Sequence, residues 1–595
     1  VVILTTCRFK EKESVVKSFE YYYQQEFDYL RQLAKIVSEE KPHLRDVLGG
    51  GDPDVERLFE GASVLTARLK HNIEDGFPEL TRPLLQKLRA QPLKGLPATS
   101  IIQFDSHGQG DSDFSIPAGT EVYTEAGQPF VMCRPCPIAP LTLVSREIIH
   151  QIQATKIILK FRYTGKDAEW QTRPISLFLS SDEPVADILM LGLMQYYTDT
   201  ELHHNGQVYK AQGERFEARS GASRLTLSSA KDDNWAPQLL IESLYLPHIN
   251  QFVDLPLPVM AKQLKLAEHR EFSVELTLNT LLPLSAEQIE SAFQLHCVPV
   301  VNMKRNCQVT LPFAAETARY PLPLALNQGI LHIAGIELKN EPGSEEEHRG
   351  GEYLFYPASL LTGMERYHSE YDNAGFYGLE TAHDEWNGVR YQVVFYDSEG
   401  KLMHKPPERE FICHFYGFEQ NLPPLISGVI SLGGENVPEI LQLKNITPTS
   451  RTYPPITDSL RYWHFLSHYA TGSYALESVR SVRQLLQDFD LYPEGDRPVS
   501  RSIRRMIDGI SNITAKWGDR LIRGRPVRCL LITLEMDESA YTSAGEMYRF
   551  ANALYQFFPF CLAQGSWLRM RVISQPSGTQ WYLSPSMLEG YRSIM

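Results

Sequence analysis

Residues 19–88 read FEYYYQQEFDYLRQLAKIVSEEKPHLRDVLGGGDPDVERLFEGASVLTARLKHNIEDGFPELTRPLLQKL. This stretch decides how the N-terminal part of the chain folds. Phe19, Tyr23, Phe27, Leu30, Ala34 and Val37 recur at three and four residues, which places them on one stripe of an α-helix. Glu20 lies in the first turn, where a negative charge suits the helix dipole. Pro42 ends the helix, because the residue before a proline is pushed out of the helical region. Tyr21, Tyr22 and Tyr29 stand off the stripe, at positions where a surface helix usually carries charge. Aromatics on a second face fit a helix that packs on two sides.

A second helix follows. Asp52 suits the N-cap and Pro53 the first helical position, where a missing N–H costs nothing. Asp54 and Glu56 add negative charge at the positive end of the dipole. Val55, Leu58, Phe59, Ala62, Leu65, Leu69 and Ile73 then recur at helical spacing, and Gly76 supplies a left-handed stop. Gly49, Gly50 and Gly51 make the connection permissive. Phe77-Pro78 opens a short third element carrying Leu80, Leu84, Leu85 and Leu88. Periodicity alone fits both a helix pair inside one core and a bundle shared with another chain.

Outward from this block the texture changes. The 595 residues are too many for one core, and length alone suggests roughly three or four domains. From about Ile101, segments such as IIQFD, TKIILKFRY, ISLFLS and RLTLSS are short, β-branched and bounded by turns, as strands are. Ser115-Ile116-Pro117-Ala118-Gly119-Thr120 reads as a tight corner feeding a strand over Glu121 to Thr124. A helix is expected around Val185 to Leu193, and further strands over Phe272–Leu278, Ile330–Leu338 and Val389–Tyr396. Asn340 to Gly351 is polar and acidic and reads as an exposed loop. The proline-rich stretches Pro406–Pro424 and Pro448–Pro455 read as linkers or domain edges.

Near the C-terminus, helical spacing returns over Asp458–Tyr469 and Ser478–Leu486. Val527–Leu534 reads as a buried strand and Trp567–Ile573 as another. Ser543-Ala544-Gly545-Glu546 has the capping-box pattern and opens a helix whose expected buried face is Met547, Phe550, Leu554 and Phe558. No internal repeat of fixed period occurs. The whole reads as an α+β multidomain chain: an N-terminal helical arm over 1–97, a β-rich domain over 98–300, a second over 301–425, and a mixed α/β domain over 426–595.

Composition excludes some functions. A hydrophobic share of 43% and a charged share of 22% are those of an ordinary globular chain. The net charge of -14 opposes general nucleic-acid binding, which needs positive potential. The N-terminal VVILTTCRFKEKES lacks the basic region and apolar length of a signal peptide. Phe550–Leu568 is broken by Asn552, Gln556, Pro559 and Gln564 and is no membrane span. These two features point to the cytosol, where eight scattered cysteines stay reduced.

The search for chemistry returns little. Cys133-Arg134-Pro135-Cys136 is a C-x-x-C, but it lies in a strand-rich, proline-broken stretch rather than at a helix start, and no second pair is spaced for zinc. Two ordinary thiols is the favoured reading. His464 and His468 are one helical turn apart, yet no Glu makes the H-E-x-x-H pattern and no third ligand stands out. Asp105 to Asp113 lacks the spaced ligands and terminal Glu of a calcium loop. Arg501, Arg504, Arg505, Arg520, Arg523, Arg525 and Arg528 concentrate basic charge; a nucleic-acid or anionic-membrane patch is one reading, and pairing with acidic partners or with the chain's own carboxylates is the favoured one. No Walker loop, no G-x-S-x-G elbow and no dinucleotide fingerprint is present. No catalytic, cofactor-binding or metal residue is assigned.

Ordered motifs carry a resemblance. YYYQQEFDYLRQLA, DPDVERLFEGASVLTARL and FPELTRPLL resemble the opening of the TssF family, also called ImpG or VasA, a baseplate component of the type VI secretion system. Downstream and in order, SIPAGTEV resembles its I-P-x-G-T strand entry, and Cys297-Val298-Pro299-Val300-Val301-Asn302 its C-x-P-V-V-N segment. Tyr462-Trp463-His464-Phe465-Leu466-Ser467-His468 resembles its W-x-L-I-S-H helix, and RGRPVRCLLITLEMDESAY its late strand and acidic turn. After His468 the chain runs YATGSYALES instead of a leucine-rich S-L-N-Y-L-S-L. Leu432-Gly433-Gly434-Glu435-Asn436-Val437-Pro438 matches the family's C-T-N-R-D-L-P only loosely.

The resemblance implies a structural subunit, not an enzyme. Two TssF-like copies pair with one TssG in a wedge completed by TssE and TssK, around the VgrG spike hub from which sheath and tube assembly starts. It implies a cytoplasmic particle docked near the inner membrane through the membrane complex, with no cofactor, no nucleic acid and no membrane insertion. In that setting Phe19, Tyr23, Phe27, Leu30 and Val37 form one seam of the first helix, while Tyr22, Tyr29 and Leu33 face another chain. Two alternatives stand beside it. One is the wedge protein of another contractile injection system. The other is a β-rich carbohydrate-acting enzyme, supported only by strand content and abundant carboxylates.

Overall fold

The computed structural model describes residues 19–40, 53–74, 95–105, 114–165, 175–211, 216–218, 235–255, 270–311, 319–325, 327–338, 355–358, 375–384, 388–397, 401–403, 410–456, 459–491, 497–522, 524–583 and 587–590. The loop over 106–113, the strand expected over 224–229, the loop over 340–351 and the third element after Phe77 lie outside these, as do Asp52 and Gly76. The chain divides into two units, 1–84 with 458–463, and the remainder. The protein is an α+β multidomain chain with a helical N-terminal region and a β-rich middle.

Among its described residues the first unit holds two helices of equal length, Phe19–Glu40 and Pro53–Glu74, and the start of a third, Ser459–Thr471. The first two start and stop close to where the periodicity places them. They pack on each other, and Arg31 donates to Glu56 at 2.6 Å. That pair lies in the half of each helix nearer the connection, as antiparallel packing requires.

The second unit is built on sheets. A six-stranded antiparallel sheet runs in the order Ile430–Gly433, Glu121–Thr124, Pro129–Met132, Cys297–Val301, Thr99–Asp105, Gln442–Asn445. It crosses the domain boundary read at 426, because its two outermost strands come from beyond that point. Cys297–Val301 sits in the middle with every residue buried, so the continuous apolar run of this motif is that of a strand covered on both faces. Asn302, 1% exposed, donates from its side-chain amide to the Pro129 carbonyl at 2.9 Å and accepts from the Glu419 N–H at 2.9 Å. The motif asparagine thereby ties this sheet to the next.

The I-P-x-G-T corner has an equally local cause. Gly119 adopts φ +82°, and a Cβ there would stand 2.2 Å from the Arg305 guanidinium. Thr120 donates from its hydroxyl to the Pro117 carbonyl at 2.8 Å and closes the turn. Only glycine reaches this conformation without steric cost.

A five-stranded antiparallel sheet, in the order Gln207–Ala211, Tyr197–His204, Glu271–Leu278, Thr155–Tyr163, Leu141–His150, shares a core with the helix Glu183–Gln195. A seven-stranded sheet spans Lys304–Leu311 to Arg319–Pro321, with Phe411–Glu419 and Gln328–Leu338 among its inner strands. The stretch Pro406–Pro424, read from sequence as a linker, therefore holds an inner strand whose buried residues include Phe411, Cys413 and Phe415. The prolines bound the strand and do not interrupt it. Pro448–Pro455 is likewise stitched down: Tyr453 bridges Leu96, and Thr447 and Ser450 bond Ser100 and Thr99.

The C-terminal sheet is mixed. Ile510–Ile522 and Arg525–Asp537 form a long hairpin, and Ser566–Gln575 lies parallel to its second strand. The helix Ala544–Phe557 makes the crossover. Ser543 accepts from the Glu546 N–H at 3.1 Å, while the Glu546 carboxylate accepts from the Thr542 N–H at 2.6 Å. Met547, Phe550, Leu554 and Phe558 are all buried, as the spacing implies. This helix crosses Glu183–Gln195 closely: a Cβ on Gly545 would stand 2.4 Å from the Asp187 backbone. Arg549 fixes the crossing by donating to Asp187 at 2.9 Å, Glu183 at 2.6 Å and the Ser243 carbonyl at 3.2 Å.

Candidate interaction surface

The chemical candidates become structural once placed. Cys133 and Cys136 are buried, and burial pushes the Cys133 thiol well above its ordinary range, which leaves it unreactive. Arg134 between them is buried with its guanidinium 3.6 Å from the centre of the Phe252 ring, a cation–π contact inside the core. His464 and His468 both bond one carboxylate, Asp488, at 3.0 and 2.6 Å. Helical spacing thus converges two rings on an acid. Among the described residues no cluster of His, Cys, Asp or Glu is arranged to hold a metal ion. Within the arginine concentration, Arg505 pairs with Glu546 at 3.3 Å and Arg504 approaches Asp490 at 3.8 Å. Among the described residues no helix is long and apolar enough to cross a membrane.

The feature that the fold leaves open is the helical hairpin. On the first helix Ala34 is buried, and Tyr23, Phe27, Leu30 and Val37 are half-buried, so this stripe packs inward. Tyr23 and Phe27 stack at 5.8 Å, and Arg31 covers Phe27 at 4.6 Å while reaching Glu56. The side chain of Phe19 lies outside the described residues. Tyr22, expected to face outward with Tyr29 and Leu33, is instead 4% exposed. Tyr29, Leu33 and Ile36 are 59%, 42% and 54% exposed. They follow one another at i, i+4 and i+7, which aligns them as a second stripe.

The second helix departs further from the reading of its sequence. The single stripe expected through Val55, Leu58, Phe59, Ala62, Leu65, Leu69 and Ile73 is split where it can be followed, the side chains of Leu69 and Ile73 lying outside the described residues. Val55 and Phe59 are half-buried on the packed side, completed by the small residues Ser63 and Ala67, both fully buried. Leu58 and Leu65 are 70% and 71% exposed, and Ala62 between them is exposed. Small side chains at the contact let the helices approach closely, and the large leucines are turned outward.

Helical geometry joins the two outer stripes. At 3.6 residues per turn, each is rotated about 110° from the packed stripe of its own helix, in the same sense about each helix axis. Antiparallel packing turns equal rotations into the same side of the hairpin. Tyr29, Leu33 and Ile36 therefore share one side of the hairpin with Leu58, Ala62 and Leu65, and the Arg31–Glu56 pair sets Tyr29 near the level of Leu58. A monomeric chain rarely leaves such a face open without an interaction to fill it.

Fold and surface together define a class: a scaffold of β-sheets with an N-terminal helical hairpin that carries an exposed apolar face. The family model described as "Type VI secretion system, TssF" matches residues 15–588, and the chain belongs to the TssF family. Type VI secretion system component TssF1 of Pseudomonas aeruginosa is 33% identical over 114 residues, a match covering 18% of this chain and 18% of that protein. A chain in the cryo-electron microscopy structure of the type VI secretion system TssK-TssF-TssG baseplate subcomplex shares the fold with TM-score 0.68 and 18% identity, over 90% of this chain and 99% of that one. A chain in the baseplate complex from the type VI secretion system does so with TM-score 0.56 and 19% identity, over 96% and 99%.

Proposed function

We propose that the chain is a structural, non-enzymatic subunit of the type VI secretion baseplate wedge, and that its helical hairpin is the arm by which it joins other subunits. The observation that carries this reading is the apolar face of Tyr29, Leu33, Ile36, Leu58 and Leu65 on a member of the TssF family. Burying that face gains about 25 cal/mol per Å² of apolar surface before the costs of association. The relatives of known structure support TssG-like and TssK-like partners, since the complex in which one of them sits contains both. The finer arrangement we propose has two copies of this chain to one TssG, with TssE in the wedge and the VgrG spike hub at the centre. The wedge then forms the platform on which sheath and tube start. It works in the cytoplasm, docked at the inner membrane through the membrane complex.

Co-expression with the TssG-like protein of the same gene cluster, followed by native mass measurement, tests this. A complex of two copies to one is expected. A chain that elutes alone in the presence of that protein contradicts the proposal.

A further inference from the structure

The second open surface is the long hairpin of Ile510–Ile522 and Arg525–Asp537. Its first strand is the edge of the C-terminal sheet, and among the described residues no strand pairs with its outer side. Thirteen residues is long for an edge strand, and an edge of that length is a template for another strand. From Lys516 to Leu521 every residue is exposed, with Trp517 at 38% and Leu521 at 75%. A Cβ built on Gly518 would meet nothing within 4 Å, so the face of the strand is open there as well. Trp517 is held in place, with the Arg528 guanidinium 5.4 Å from its ring.

Charge narrows the occupant. Between 516 and 528 stand Lys516, Arg520, Arg523, Arg525 and Arg528 against the single acid Asp519, in a chain whose net charge is -14. Two copies pairing edge to edge about a two-fold axis at Gly518 would bring Lys516 of each against Arg520 of the other, and like charges opposite one another destabilise a strand pair. A polyanion such as nucleic acid would meet the acidic remainder of the chain and has no use for a row of backbone donors and acceptors at strand spacing. We propose that the Ile510–Ile522 edge accepts an extended, acidic segment of a partner protein as an added strand. Backbone hydrogen bonds would supply affinity, the basic residues would select acidic side chains, and Trp517 with Leu521 would cover the apolar positions of the incoming strand. This inference is independent of the role given to the helical arm.

A fluorescein-labelled decapeptide alternating glutamate and valine, titrated into the full chain at low salt, is the direct probe. Saturable binding is expected, with slowed amide hydrogen exchange confined to 510–522. The K516E/R520E chain should bind about ten-fold more weakly or worse, with unchanged thermal unfolding because both positions are exposed. The same peptide N-methylated at alternate residues should not bind. Absence of saturable binding, equal binding of the methylated peptide, or equal binding of a ten-nucleotide oligothymidine would each overturn the proposal.

Discussion

Replacing Leu58 and Leu65 together by Asp is the sharpest perturbation of the arm. Both are about seven-tenths exposed in the isolated chain, so neither contributes much to its stability. Fully burying a leucine is worth about 1.5–3 kcal/mol, and scaling by the fraction still exposed leaves about 1–2 kcal/mol for each when a partner helix covers the face. The pair then accounts for about 2–4 kcal/mol, or a loss of about 30- to 1,000-fold in affinity. Aspartate adds the cost of burying an unpaired charge. Isothermal titration of the double variant against the proposed TssG-like partner reads this directly, with far-ultraviolet circular dichroism confirming that the helices persist. Unchanged affinity in a folded variant would refute the assignment of this face. The matched control, Ser63→Leu, overfills the packed side instead and should destabilise the hairpin itself.

Three further outcomes follow from the sheets. Gly119→Ala should lower unfolding stability by about 1–2 kcal/mol in urea, because φ +82° is strained for any residue with a Cβ and the Arg305 guanidinium occupies the space. Arg549→Met should cost about 3–5 kcal/mol by leaving Asp187 buried without its cation, and the double change R549M/D187L should recover most of that. The third concerns pH. Burial holds the His248 and His296 rings down to about 4, from 6.5 when unfolded, with Arg549 adding to the effect at His248. Between these values the unfolded chain binds protons that the native chain refuses. Stability is therefore lost as pH falls through 6.5 towards 4, by about 2 kcal/mol for each ring between pH 7 and pH 5. Urea midpoints that do not fall over that range would contradict the burial of these rings.

The elements that the sequence reveals are those whose signals are local. Phe19–Glu40 and Pro53–Glu74 announce themselves by spacing, caps and a proline stop, and Ala544–Phe557 by Ser543 and its buried run. The corner at Gly119 is equally plain, because one residue's backbone conformation determines it. What spacing does not reveal is which apolar stripe a helix buries. Leu58 and Leu65 look like core residues, yet the contact is made by Ser63 and Ala67, whose small size permits a close approach that hydrophobicity does not register. The strand Phe411–Glu419 is obscured by the prolines that bound it, although its alternation is regular. The return of Ile430–Gly433 and Gln442–Asn445 to the first sheet rests on pairing with residues some three hundred positions earlier, which no local pattern encodes. The convergence of His464 and His468 on Asp488 is half legible: the turn of helix between the rings is visible, the acid on a later segment is not.

The central claim is that the face formed by Tyr29, Leu33, Ile36, Leu58 and Leu65 is covered by helices of another subunit. Hydrogen exchange of the chain alone and in complex with the proposed TssG-like partner tests it most directly. The account predicts strong added protection of the amides in Phe19–Glu40 and Pro53–Glu74 on complex formation. A stable complex in which exchange of those two helices is unchanged would contradict it.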